Sequence, residues 1–247
     1  MARIAIIGTA NTGKSTLVDE FIKTYKTYKT PNETYRDIIE KNDLDHSSNG
    51  NQDSQKMIID FLNEQISKNE ESNIIFDRCV IDALIYTMYI ADKNNNIDAD
   101  FVTTCINLCR ESTKNLDLVF YIKRDESIKV VDDGLRDIQA IEEVGNIFEV
   151  FYQSYLNNYG KCPWFPTATD EDGWPPIIEL KGTTKERMEQ ISYYIAKDGR
   201  LVAPSDEGIS GIITDYADIN NVADLDDIIN QQHQIIHNSK PENIKIN

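Results

Sequence analysis

Short apolar runs alternate along the chain with longer stretches in which apolar residues recur every three or four positions. A short run suits a strand buried on both faces, and the helical spacing suits a helix with one buried side. Their alternation is how a parallel sheet with crossover helices reads. Residues 3–7, 74–76, 118–122 and 177–180 are predicted strands, and a weaker one falls within 25–30. Helices are predicted over 15–24, 32–40, 55–66, 83–91, 99–110, 143–157 and 184–196. In the first, Leu17, Val18, Phe21 and Ile22 share a side; in the third, Ile58, Ile59, Leu62 and Ile66 do so. Residues 44–53, rich in Ser, Asn and Gly, are predicted to be a mobile loop.

After Asp198 the pattern thins. Residues 199–247 are sparsely hydrophobic and acidic, with Asp215, Asp218, Asp224, Asp226 and Asp227 outnumbering the basic residues there, and hold at most a short helix near 225–236. The expected organisation is one α/β domain over 1–198 and an acidic appendage or tail over 199–247.

Composition narrows the classes of function. The 247 residues are 40% hydrophobic and 27% charged, ordinary for a globular chain. The net charge of −17 opposes polyanions, because affinity for duplex nucleic acid comes largely from Lys and Arg neutralising phosphates. A nucleic-acid substrate is therefore disfavoured, though a local basic groove can coexist with that charge. No apolar run approaches the roughly 20 residues needed to cross a bilayer, and the amino-terminal residues lead directly into a strand, so a cytoplasmic protein without a membrane partner is expected. The four cysteines suggest buried thiols rather than a disulfide framework. His233 and His237 lie one turn apart, but Gln234 stands where a zinc protease needs Glu, so a solvated helix face is the expectation.

The strongest chemical signal is Gly8-Thr9-Ala10-Asn11-Thr12-Gly13-Lys14-Ser15, which fits G-x-x-x-x-G-K-S at every fixed position and lies between a predicted strand and a predicted helix. Backbone N–H groups of such a P-loop (Walker A) wrap a polyphosphate, and the helix N-terminus adds partial positive charge. Gly8, Asn11, Thr12, Gly13, Lys14, Ser15 and Thr16 are accordingly candidates for binding ATP. Lys14 would reach the β- and γ-phosphates, the Ser15 hydroxyl would ligate Mg²⁺ and Thr16 would face the α-phosphate. GTPases usually carry N-K-x-D after a later strand, and that tetrapeptide is absent.

The strand at 74–76 delivers Asp77 and Arg78 to the edge where α/β proteins build their sites. Asp77 can hold Mg²⁺ through water or take a proton from an attacking hydroxyl, and Arg78 can bind an acceptor or the transferring phosphate. Asp82 either faces the same site or caps the next helix.

With Glu33-Thr34-Tyr35-Arg36 and Asp77-Arg78-Cys79-Val80-Ile81-Asp82-Ala83, the phosphate loop resembles the P-loop nucleoside and nucleotide kinase group. The likeness is greatest to the nicotinamide-riboside-kinase-like ATPases and phage-type deoxynucleotide kinase relatives, and covers roughly residues 3 to 196. The resemblance implies a three-layer fold with a five-stranded parallel sheet in the order 2-3-1-4-5. It also implies ATP and Mg²⁺ as donor and cofactor, and a small nucleoside or nucleotide acceptor. Carried over, Glu33 or Asp77 would orient the acceptor hydroxyl while Arg36, Arg78 and Asp82 hold the acceptor. Glu33 and Arg36 have a rival role as an exposed i, i+3 ion pair. A lid near 124–142 would carry Arg136, but a second lid arginine is missing where Ala140, Ile141, Glu142 and Glu143 stand, so either Lys123 or Arg124 substitutes for it or Arg136 acts alone. The strand at 177–180 and the following Gly182-Thr183-Thr184 and Glu186-Arg187 resemble the segment whose backbone contacts adenine.

The catalytic set implied is Lys14, Asp77, Arg136 and Glu33, with Ser15 and Asp77 on the metal. Three further readings stay open: a kinase acting on a hydroxymethylated base in DNA, a nicotinamide riboside kinase, and a nucleotide-hydrolysing switch. A homodimer is compatible with the sequence, and acceptor-reading residues are expected within 49–65 and 86–89.

Overall fold

The computed structural model describes residues 2–45, 49–68, 73–94, 96–124, 138–157 and 175–202. Four strands, β1 (Arg3–Ile7), β2 (Ile74–Asp77), β3 (Leu118–Ile122) and β4 (Ile177–Leu180), form a parallel sheet in the order β2-β1-β3-β4. Seven helices accompany them among the described residues: α1 (Lys14–Thr24), α2 (Tyr35–Asn42), α3 (Gln52–Lys68), α4 (Val80–Asn94), α5 (Ala99–Thr113), α6 (Ile138–Asn157) and α7 (Thr184–Ile191).

Alternate strand residues feed two separate cores. Ala5, Ile7, Phe76, Val119 and Tyr121 face one, packed with α3, α4, α5 and α6. Ile4, Ile6, Ile75, Phe120 and Ile122 face the other, packed with Leu17, Val18 and Phe21 of α1 and Ile191 of α7. Strands buried on both faces explain why their sequences are continuous apolar runs rather than alternations.

The expected fifth strand is not a strand. Within 25–30 the pairing shrinks to an isolated bridge between Lys29 and Ile74. The Lys29 N–H donates to the Asn73 carbonyl (3.1 Å) and the Lys29 carbonyl accepts from Ile75 N–H (2.9 Å). Two residues later Pro31 has no N–H to offer, so the ladder stops. Because the bridge lies beside the edge strand β2, the chain-order sequence 2-3-1-4-5 is kept, with its second member reduced to one residue.

Helix boundaries moved where side-chain caps decided them. The helix predicted from residue 32 starts at Tyr35, because Thr34 and Asp37 form a capping box. Gln52 and Asp53, predicted as loop, belong to α3, since Asn51 N–H donates to Ser54 Oγ and Ser54 N–H to Asn51 Oδ1, both at 3.0 Å. Helix α4 begins at Val80 rather than 83, α6 already includes residues 138–142 ahead of the predicted 143, and α7 ends at Ile191 rather than 196. Cys79, Cys105 and Cys109 are buried free thiols. No described helix is long and apolar enough to cross a membrane. The compact unit Met1–Leu201 contains these elements. Of the acidic appendage predicted at 199–247, residues 203–247, with His233 and His237, lie outside the described residues.

Phe120 is fully buried on β3. Phe120→Ala should lower stability by about 3–5 kcal/mol in urea denaturation, the usual cost of such a cavity. Val150→Ser, at a position 63% exposed, should stay within about 0.5 kcal/mol of the parent.

Candidate active site

Strand β1 ends at Ile7, and the chain leaves the sheet through Gly8 at φ 145°. A Cβ on Gly8 would lie 2.5 Å from the Ile122 carbonyl oxygen of β3, so neither the backbone angle nor the space admits a side chain. The loop turns through Asn11 (φ 62°) and Gly13 (φ 82°), and Gly13 is the N-cap of α1 without a side-chain cap. The first-turn N–H groups of α1 are therefore offered to an anion rather than to a capping oxygen. Thr12 Oγ1 donates to the Thr9 carbonyl at 3.0 Å, and Thr9 Oγ1 donates to the Ile141 carbonyl of α6 at 3.1 Å.

Lys14 folds back over this loop. Its Nζ donates to the Thr9 carbonyl at 2.5 Å and approaches Thr12 Oγ1 at 3.4 Å, and the side chain is buried. Burial, followed by repulsion from Arg78, lowers its pKa to about 7, against the opposing pull of Asp82 and Asp77.

The tip of β2 meets the same loop. Ser15 Oγ donates to Asp77 Oδ2 at 2.5 Å. Arg78 follows at φ 82°, a conformation that costs a non-glycine residue on the order of 1–2 kcal/mol and recurs at functional sites. Its Nη1 donates to Asp82 Oδ1 (3.0 Å) and to the Gly8 carbonyl (3.4 Å). Asp82 in turn accepts from Gly8 N–H (3.3 Å) and from Cys79 N–H (3.1 Å), the latter closing the first turn of α4. Arg78 and Asp82 are 7% and 1% exposed. Burial pushes the Asp82 carboxyl above the usual carboxylate range despite the pull of Arg78 and Lys14. Burial alone would lower Arg78, but Tyr35, Tyr86, Asp82 and Asp77 together hold it well above its ordinary value.

Two tyrosines flank that guanidinium. Its Cζ lies 4.7 Å from the ring centroid of Tyr35 and 5.5 Å from that of Tyr86, within cation–π range. Arg36 Nε donates to Tyr35 Oη at 3.3 Å. For Tyr35 burial is the largest influence and acts upward, yet Arg78 and Arg36 outweigh it and lower the phenol's pKa.

The residues singled out in the sequence thus divide. Lys14, Ser15, Asp77, Arg78, Asp82 and Arg36 are mutually close, by direct bonds or by the charges they exert on one another. Glu33 stands apart: it is half-exposed and its carboxylate pairs with Lys41 rather than Arg36. Arg136, with residues 125–137 of the expected lid, lies outside the described residues. The alternative cations are engaged elsewhere, Lys123 with Glu149 (3.0 Å) and Arg124 with Glu142 (2.7 Å). Two residues lie inside the motifs quoted from the sequence but were given no role there: Tyr35, which contacts both arginines, and Arg187, whose Nη1 donates to the Thr12 carbonyl at 2.7 Å.

The donor set suits Mg²⁺. A hydroxyl and a carboxylate already in contact, Ser15 and Asp77, are hard oxygen ligands of the kind that ion takes alongside phosphate oxygens and water. No group of three or more His, Cys, Asp or Glu able to hold a metal occurs among the described residues, so the protein by itself makes only a partial site.

The sequence model of the family described as AAA domain matches residues 3–163, well over half of the chain. The chain belongs to that family. No curated protein sequence matches it significantly. Among solved structures, it is similar to NadR protein in complex with NR, at 16% identity and a TM-score of 0.56, covering 83% of this chain and 54% of that one. Deoxyadenosine kinase from M. mycoides with bound dATP matches at 20% identity and a TM-score of 0.53, covering 77% and 97% of the two chains. Thymidylate kinase from Candida albicans matches at 18% and 0.52, covering 83% and 96%. The chain spans about half the length of the NadR structure. What the chain shares with these structures is the fold, a parallel sheet flanked by helices.

Lys14 gives this site a pH signature. Its folded pKa lies below the ordinary value of 10.5, so between about 7 and 10.5 the unfolded chain binds a proton that the folded chain does not. Stability therefore rises with pH across that window relative to a variant lacking the group. Denaturation of ligand-free wild type and Lys14→Met at pH 7 and pH 10 should show the variant's advantage at pH 7 shrinking at pH 10; a pH-independent difference contradicts this. Gly8→Ala should lower stability by about 2 kcal/mol or more, or prevent folding, as read by urea denaturation followed by circular dichroism.

Proposed function

We propose that this chain is an ATP-dependent phosphotransferase that phosphorylates a nucleoside, a nucleotide or a related small acceptor. The observation that carries the reading is the convergence of the β2 tip on the phosphate loop. Asp77 is hydrogen-bonded to Ser15, and Arg78 to Gly8, so an acid and a cation stand beside Lys14 where a terminal phosphate would lie. A nucleotide-hydrolysing switch would also use Ser15 and Asp77 on the metal, so what favours an acceptor over a switch is the cationic pair Arg78 and Arg36 beside Asp77.

In this reading the backbone of Gly8 to Thr16 wraps the triphosphate, with Asn11 and Thr12 shaping the loop, and Lys14 bridges the β- and γ-phosphates. Ser15 and Asp77 would hold Mg²⁺, which when bound offsets charge on the phosphate oxygens. Arg36 and Arg78 line the acceptor side. Glu33 or Asp77 would orient the acceptor hydroxyl, Asp77 if it is not taken up by the metal and Glu33 on leaving its exposed pair with Lys41. Asp82 acts through Arg78 and Gly8 rather than on the acceptor. Arg136 is assigned the role of lid cation on resemblance alone. Transfer is in line and depends on positioning and on charge stabilisation in a water-poor site.

Coupled ADP release should be measured across nucleosides, nucleoside monophosphates, nicotinamide riboside and hydroxymethylated DNA. Nicotinamide riboside belongs in the panel because NadR is described in complex with NR. One small acceptor should stimulate release. Lys14→Ala should lower the stimulated rate by about 100-fold or more while leaving circular dichroism unchanged. Near-normal turnover in Lys14→Ala excludes the scheme, and ATP consumption that no acceptor stimulates favours a nucleotide-hydrolysing switch.

A further inference from the structure

Arg187 is 175 positions from Thr12 in sequence yet its side chain ends against the phosphate loop. It lies in the first turn of α7, where Thr183 and Glu186 form a capping box that fixes the helix start. Its side chain is buried, with Nη1 2.7 Å from the Thr12 carbonyl oxygen. A Cβ built on Gly13 would meet the same Nη1 at 3.3 Å, so the guanidinium packs directly against the 12–13 peptide.

Peptide geometry gives that contact a consequence. No cis peptide bond occurs among the described residues, and in a trans unit the carbonyl and the next N–H point in opposite directions. With the Thr12 carbonyl held towards Arg187, the Gly13 N–H is directed to the opposite side of the loop. Gly13 sits at φ 82°, where glycine has no side chain to restrict rotation of that peptide, so an external hold has something to do. A buried arginine is also a costly way to pack a helix, since an apolar side chain of similar volume fills such a space without the desolvation penalty. The retained charge adds a fixed positive potential on the protein side of the loop.

We propose that Arg187 is a positioning residue of the donor-phosphate site, holding the Thr12 carbonyl so that the Gly13 amide is presented to the polyphosphate. This rests on the phosphotransferase reading only in taking the loop to bind a nucleotide polyphosphate. The test is calorimetric binding of Mg·ADP and Mg·ATP to the 247-residue chain and to Arg187→Met, Arg187→Gln and Arg187→Lys, each with its thermal melt. Arg187→Met should bind Mg·ADP about tenfold more weakly, the usual size of losing one charge-assisted hydrogen bond. Arg187→Lys, which keeps charge and a donor, should stay within about threefold of wild type. Should Arg187→Met fail to fold, Arg187→Gln carries the same tenfold expectation. Binding within twofold of wild type in a folded Met or Gln variant, with only the melting temperature lowered, overturns the inference and assigns Arg187 to helix packing. That result leaves the phosphotransferase reading intact, whereas wild-type chain that binds neither nucleotide overturns that reading itself.

Discussion

A single buried ion pair holds both backbone polar groups of Gly8: Arg78 donates to its carbonyl and Asp82 accepts from its N–H. The rest of the site depends on that grip. Gly8 lies against the Ile122 carbonyl too closely for any side chain, so the position must be glycine and its N–H and C=O are left inside the protein. Buried backbone groups need partners, and no neighbouring strand can supply them where β1 has ended. Arg78 and Asp82 meet that need. Taking two charges out of water costs several kcal/mol per ion, and the pair returns it only because further hydrogen bonds use the remaining valences. Cys79 N–H on Asp82 and the two tyrosine rings on Arg78 provide that completion.

The same arrangement ties neighbouring strand tips into one unit. Arg78 N–H donates to the Ile6 carbonyl at 3.0 Å, so β2 leaves the sheet beside β1, and its positive φ turns the side chain back over the loop. Asp77, one residue earlier, is thereby placed on Ser15. Donor loop and acid tip are fixed to each other by backbone and ion pair together.

The local charge runs against the global one. The chain carries −17, yet Lys14, Arg36 and Arg78 gather around Asp77 and Asp82, and the repulsion between Lys14 and Arg78 is part of what lowers the Lys14 pKa. Basic side chains confined to the loop and the β2 tip suit a compact anion better than an extended polyanion, which must also face the surrounding acidic surface. The net charge bears on which acceptors can approach and says nothing against the triphosphate.

Strand positions, the phosphate loop and the acid at residue 77 were legible in the sequence, because each rests on short-range rules: continuous apolar runs, fixed spacing between two glycines and a lysine, and a charged residue ending an apolar run. The fifth strand failed because Pro31, not the apolar content of 25–30, limits its pairing. Helix starts at Tyr35 and Gln52 were missed because reciprocal side-chain caps set them against the apolar period. What only tertiary structure decided is which charges meet. Glu33 turned to Lys41 although Arg36 is nearer in sequence, Arg78 was committed to Gly8, and Arg187 reached Thr12 across 175 positions. Local periodicity follows from neighbours along the chain, whereas the partner of a buried charge is chosen by which unsatisfied backbone group the packed sheet brings within reach.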